Sequence, residues 1–191
     1  MKDVIIFDFD KTLTNYDTTF SFFLFCCKYH KIKYLLIPFF IFIKLSSKFK
    51  IISVKKEKEI GLILFCPNDV SEFRKRCSQF ATTIKLNEIY HSCFIKLKNK
   101  NIIIASASFQ LYLECLFPEN IVIGTTVELD KDMKKIIGID NHPFGKEKAE
   151  ILLTKGISMI NSFYTDSKTD IPTSQLSEKT YWVKRGKIIR N

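Results

Sequence analysis

Residues 4–7, Val-Ile-Ile-Phe, run straight into Asp8-Phe9-Asp10-Lys11-Thr12-Leu13-Thr14. A short β-branched run that ends in acidic and small residues reads as a buried strand opening into a loop. Side chains two apart on a strand share a face, so Asp8 and the region of Asp10 are expected to converge on one site. Two neighbouring carboxylates repel, and both stay ionised only if a cation or a shared proton relieves them. Such a pair suits a metal site in which one carboxylate attacks and the other shuttles protons. The plainer alternative is a strand end closed by acidic turn residues.

Three later segments bear on that choice. Asn101-Ile-Ile-Ile-Ala-Ser-Ala-Ser108 is a second apolar run with Ser106 near its end. Gly145-Lys-Glu-Lys-Ala-Glu150 carries Lys146 and Lys148, and Thr165-Asp-Ser-Lys-Thr-Asp170 carries Asp166 and Asp170 after an apolar stretch. Each segment alone is weak. Four of them in this order, each at a strand or helix end and together spanning nearly the whole chain, resemble the motifs of the haloacid dehalogenase superfamily, whose phosphatases form an aspartyl-phosphate.

The resemblance implies a role for each residue. Asp8 would be the nucleophile and Asp10 the general acid and base. Thr12, Ser106 and Lys148 would contact phosphate, with Lys146 as the alternative lysine. Asp8, the backbone carbonyl of Asp10, and Asp166 would hold Mg²⁺, a hard cation that takes a few carboxylates plus water and substrate oxygen. Asp170 and Ser167 would support them. Asp10 also favours hydrolysis, because the ion-pumping ATPases of the superfamily carry Thr two residues after the nucleophile. Lys11 and Asp17 are candidates for the substrate side, although Asp17 also reads as the N-cap of a helix beginning at Thr18. Two positions depart from the pattern: Thr165 replaces a usual Gly, and Lys11 stands where Gly or Ser is common.

The order of elements predicts an α/β fold. Strands are expected at 4–7, 102–105, 121–123, 163–164 and 181–183, with Trp182 as a core residue of the last. Helices are expected at 109–117, 146–155 and 169–177, and an extra hairpin at 125–129 and 135–139. Alternation of this kind implies a Rossmann-like parallel sheet with helices on both faces and ligands at the carboxyl ends of the strands. Residues 1–16 and 98–191 would form the catalytic core. Residues 17–97 read as an inserted α-helical cap, at the position used by relatives of phosphoserine phosphatase.

Specificity is expected in that cap, and its composition is unusual. Residues 18–65 hold nine Lys and two Glu, which is +7 of the formal +10 of the 191-residue chain. Residues 34–43 are ten consecutive apolar residues between Lys33 and Lys44. As a helix they span about 15 Å, half a bilayer core. Two readings stand: an interfacial element on an anionic membrane, or a helix buried in the core with solvated lysines around it. The overall pattern most resembles the phosphoserine-phosphatase-like subgroup, and the basic, apolar cap looks like the C-type phosphatidylglycerophosphatases. That likeness implies a phospholipid head-group phosphate as substrate. A small soluble phosphate such as phosphoserine is the alternative, and a non-catalytic phosphate-binding membrane adaptor is the remote one.

The lysines bring no arginine-rich or base-stacking motif, so nucleic acid is not an expected partner. His30, His91 and His142 are scattered, and this chemistry needs none of them. Six cysteines without a Cys-x-x-Cys pair read as reduced thiols. The first strand starts almost at Met1, which leaves no room for a secretory signal. The expected location is cytoplasmic, with peripheral attachment to the inner face of the membrane if the cap meets lipid.

Overall fold

The computed structural model describes residues 3–97 and 100–190; the expected restart of the core at residue 98 lies outside them. Strand β1 (Val4–Phe7) pairs in parallel with β2 (Asn101–Phe109) on one side and with β6 (Ile160–Thr165) on the other. With β3 (Ile121–Thr125), β7 (Ser177–Lys184) and β8 (Lys187–Arg190), they make one six-stranded sheet in the order β3-β2-β1-β6-β7-β8. All neighbours run parallel except β8, which returns antiparallel to β7 along the edge.

The alternation of β1 feeds two cores. Ile6 faces Ile103, Ala105, Phe163 and Leu152, the last on α6 (Lys146–Thr154). Ile5 and Phe7 face the opposite side, where Phe9, Phe109, Tyr112 and Leu113 collect, the last two on α5 (Gln110–Leu116). Burial on both faces explains why the run carries no polar alternation.

Between β1 and β2 the chain is helical. It contains α1 (Thr18–Cys27), a 3₁₀ segment (Lys31–Leu36), α2 (Ile37–Lys48), α3 (Val54–Phe65) and α4 (Val70–Ala81). Asp17, Ser53 and Asp69 cap α1, α3 and α4, each accepting a backbone N–H from three residues on. Phe22 and Phe23 of α1, Phe73 and Phe80 of α4, and Phe109 and Tyr112 of the sheet side form one aromatic cluster. Gly61 lets α3 approach closely, since a Cβ there would lie 2.3 Å from Phe23 Cε2 and 2.8 Å from Phe40 Cζ.

Helix α2 is the exception to this packing. Only Phe40 and Ser47 of it are buried, while Leu35, Phe39, Phe42 and Phe49 in and beside it are 73%, 54%, 66% and 73% exposed. Among the described residues no helix is long and apolar enough to cross a membrane.

Several expected boundaries shift. The helix expected at 169–177 divides into a 3₁₀ turn (Lys168–Asp170) and a short α7 (Ile171–Ser174) with Pro172 in its first turn, and Ser177 already belongs to β7. Thr125 ends β3, so the hairpin is only β4 (Val127–Leu129) and β5 (Ile136–Ile139), a separate two-stranded sheet. β8 was not anticipated. Trp182 is half-buried rather than core.

Candidate active site

The chain leaves β1 through a tight turn in which the Phe9 carbonyl accepts from the backbone N–H groups of Thr12, Leu13 and Thr14. Lys11 takes a left-handed conformation there, φ 59°. The turn sends the two carboxylates different ways. Asp8 Oδ1 accepts from Lys148 Nζ at 2.9 Å, while its Oδ2 has only a long contact with Thr12 Oγ1 at 3.4 Å. Asp10 Oδ1 accepts from the N and Oγ1 of Thr18 at 2.9 and 2.5 Å, and its Oδ2 accepts from Ser108 Oγ at 2.8 Å. The sequence expectation of two carboxylates side by side on a strand face is corrected: β1 ends at Phe7, so the period-two rule no longer applies. Both still line one cleft of about 240 Å³.

Lys148 Nζ reaches Asp170 Oδ2 at 2.8 Å as well as Asp8. Lys146, the alternative, is a surface residue paired with Glu150. Thr165, the departure from Gly, donates from Oγ1 to Asp170 Oδ2 at 2.7 Å and so fixes the acid that holds the lysine. Ser106, Lys11, Asp17, Asp166, Ser167 and Asp170 line the same cleft. Thr12 does not; it is wholly buried behind Asp8. Asp17 accepts from Phe20 N at 2.9 Å as the helix cap, and its other oxygen pairs with Lys44 Nζ at 2.8 Å. The N-cap reading of Asp17 is the one the structure shows, and Lys44 already matches its charge.

Burial pushes the Asp8 carboxyl up to about 7 against the pull of Lys148, with Asp170 and Asp166 adding repulsion. Burial and the charge of Asp17 likewise raise Asp10, and burial raises Asp166. Burial works against a charged Lys148 too, yet Asp8 and Asp170 together outweigh it and raise its pKa. One buried ammonium thus serves Asp8, Asp170 and the nearby Asp166, leaving excess negative charge that a divalent cation would relieve.

No group of three or more His, Cys, Asp or Glu side chains among the described residues could hold a metal. The donors that fit are the Asp8 and Asp166 carboxylates and the Asp10 carbonyl, which accepts no loop hydrogen bond. That small set of oxygen ligands matches Mg²⁺, which keeps several waters and binds substrate oxygens.

Some residues in the cleft or packed behind it escaped the sequence reading. Lys58 of α3 is buried with Gly61, Leu62 and Phe65 on one helix face. Its Nζ donates to the Ala107 carbonyl, and burial lowers its pKa to about 8 despite the nearby Asp10 and Asp17. A charged residue within an otherwise apolar stripe was the available signal. Thr18, Ser108 and Tyr112 form the cradle of Asp10, with the Tyr112 hydroxyl 2.9 Å from Thr18 Oγ1. Ser108 was visible in the Ser-Ala-Ser string; the part played by Tyr112 required the fold. His142 is buried with Nδ1 2.9 Å from Thr125 Oγ1, and burial keeps its ring neutral.

The fold is similar to several solved structures. A phospho-aspartyl intermediate analogue of phosphoserine phosphatase superimposes with a TM-score of 0.60 at 17% identity, over 96% of this chain and 88% of that one. A phosphoserine phosphohydrolase-like protein from Francisella tularensis gives 0.63 at 17%, covering 96% of both chains. A protein of unknown function from Bordetella pertussis gives 0.70 at 14%, over 92% and 87%. At such identities the likeness carries the fold alone. No curated protein matches the chain. The haloacid dehalogenase-like hydrolase family matches residues 5–175, a span that takes in Asp8, Ser106 and Asp166 at their strands and Lys148 on α6, and the chain belongs to that family.

Proposed function

We propose that this hydrolase is a Mg²⁺-dependent phosphomonoesterase acting through an aspartyl-phosphate on Asp8, and that its substrate is the terminal phosphate of a phospholipid precursor. The observation that carries the reaction is the setting of Asp8. Its Oδ1 is held by Lys148 at 2.9 Å, and its Oδ2 is left with one long contact on a cleft that Lys11, Lys44 and Lys58 also line. That arrangement orients a nucleophile and draws in an anion before attack, which is most of the work in phosphoryl transfer.

In this reading Asp8 Oδ2 attacks phosphorus as the bond to the leaving oxygen breaks. Asp10, whose burial favours the protonated form, donates its proton to that oxygen. It then takes a proton from the water that attacks the phosphorus, which releases phosphate and restores Asp8. Ser106 donates to a phosphoryl oxygen, and Asp170 and Thr165 keep Lys148 on Asp8. When bound, Mg²⁺ supplies positive charge at the phosphoryl group, held by Asp8, Asp166 and the Asp10 carbonyl. Residues 17–97 act as the cap that meets the rest of the substrate.

The lipid assignment rests on the cap. An apolar groove of about 660 Å³, lined by Ile41 and Leu45 with Lys48 and Lys50 among its residues, shares Phe20, Lys44, Val54, Glu57, Phe144 and Thr169 with the catalytic cleft. It runs from the cleft to Ile41 and Leu45 of α2, both exposed. An apolar face ringed by lysines suits an anionic membrane surface, where the enzyme would sit peripherally. Asp17 speaks against an amino-acid substrate, because Lys44 and the start of α1 already occupy the carboxylate that would meet a substrate amine.

The test is Mg²⁺-dependent phosphate release from vesicles containing phosphatidylglycerophosphate and from phosphoserine, side by side, with Asp8→Asn as control. The expected result is preference for the lipid and no turnover by Asp8→Asn. Preference for phosphoserine would overturn the lipid assignment, and turnover by the variant would overturn the mechanism.

A further inference from the structure

A second, larger cavity opens beside the catalytic cleft, on the far edge of the core. It holds about 760 Å³ and lies among the Lys11 turn, the segment from Asp166 to Ile171, and the β7–β8 hairpin. Ligand pockets for small molecules fall in this size range. Lys11 and Asp166 belong to both cavities. Nothing in the hydrolytic reaction needs the remainder.

Its lining combines two chemistries. Lys11, Lys168, Lys184 and Arg185 surround it with positive charge, and Asp166 is the sole carboxylate among its lining residues. None of the four cations forms a salt bridge among the described residues. Trp182, Ile171 and Ile189 supply an apolar wall, and Ile171 and Ile189 are left largely exposed by it. Two of the cations also stand on strained backbone: Lys11 at φ 59° and Arg185 at φ 49° are left-handed, a conformation that glycine adopts without the steric cost. At Arg185 the two-residue turn between β7 and β8 sets that conformation, with Gly186 also left-handed, and the turn holds the guanidinium at the rim of the cavity.

We propose that this cavity binds a nucleotide, with the base against Trp182 and the phosphate on Arg185, Lys184 and Lys11. The volume exceeds what a lone phosphate needs, and the aromatic wall beside unpaired cations matches a planar group that carries an anion. Asn15 adds a carboxamide for the base or ribose. The proposal is independent of the lipid reading, since no residue of α2 lines this cavity.

Trp182 is the only tryptophan of the chain, so its emission reports on this cavity directly. Asp8→Asn protein, which cannot consume a phosphate ester, is titrated without Mg²⁺ with AMP, adenosine and inorganic phosphate. AMP is expected to change the emission saturably and to bind at least tenfold more tightly than either fragment. Arg185→Gly, added to Asp8→Asn, should weaken AMP at least tenfold. The thermal midpoint should hold or rise, because glycine suits that turn. Calorimetry on the same two proteins should show one AMP site lost. Equal binding of phosphate and AMP would overturn the nucleotide assignment. Unchanged AMP affinity in Arg185→Gly, or no AMP binding by either method up to millimolar concentration, would overturn the site.

Discussion

Lys148 Nζ lies 2.9 Å from Asp8 Oδ1 although 140 residues separate them. Both are almost fully buried, and Asp170 holds the lysine from its other side. Removing one partner of a buried ion pair strands the others without compensation, at about 3–5 kcal/mol. Lys148→Met is therefore expected to lose stability on that scale and to have no measurable turnover. Urea unfolding of the metal-free protein checks the first expectation, and a phosphate-release assay checks the second.

Asp10 depends on Ser108 and Thr18 for its position. In Ser108→Ala one carboxylate oxygen loses a donor at 2.8 Å. Asp10 becomes charged once it has given up its proton, and a hydrogen bond to a charged group contributes about 1.5–3 kcal/mol, so kcat should fall about tenfold or more while KM stays nearly constant. A matching rise in KM would place Ser108 in substrate binding instead.

Lys58 gives the cap a pH signature. Its pKa is lowered from 10.5 to about 8 by burial. Below pH 8 both folded and unfolded states hold the proton, and the folded state bears the full cost of the buried charge. Between pH 8 and 10.5 the folded state releases the proton first, so stability rises with pH in that window. Lys58→Met should be more stable than the native chain at pH 7, by a few kcal/mol at most, with the advantage shrinking to nothing above about pH 10.5. Thermal melts across that range, compared between the two proteins, measure it.

Gly61→Ala should destabilise despite a gain in helix propensity of about 1 kcal/mol. The new Cβ would fall 2.3 Å from the Phe23 ring, and that ring is wedged edge-on against Phe40 with centroids 5.5 Å apart. Overpacking of this kind costs about 1–3 kcal/mol, which leaves a net loss of about 1 kcal/mol and a midpoint lower by roughly 2–4 °C.

Phe39 and Phe42 are the residues with which to test membrane contact, because Phe40 is buried and its replacement would report on folding. Phe39→Ser with Phe42→Ser should lower binding to anionic vesicles about tenfold or more, given about 1.5 kcal/mol or more for each buried Phe. Hydrolysis of a small aryl phosphate should be spared. Equal loss of both activities would mean that the two rings serve the fold.

The strand ends that carry Asp8, Ser106 and Asp166 were legible in the chain because burial on both faces leaves continuous apolar runs, and the polar residue near the end of each run is its landmark. The parallel sheet followed from the alternation of those runs with helices. Other features depended on contacts across long stretches of chain. Lys146 and Lys148 are two apart in sequence, but they lie on different helix faces, and only the second is buried, between Asp8 and Asp170. The turn at Lys11, and not strand periodicity, separates the Asp10 carboxylate from that of Asp8. Strand β8 is short and polar at both ends, and pairing with β7 defines it. Helix α2 marks the limit most clearly: a segment apolar all round has no polar face to show which side meets solvent, so only the packing of Phe40 against Phe23 and Phe65 decides which rings stay exposed.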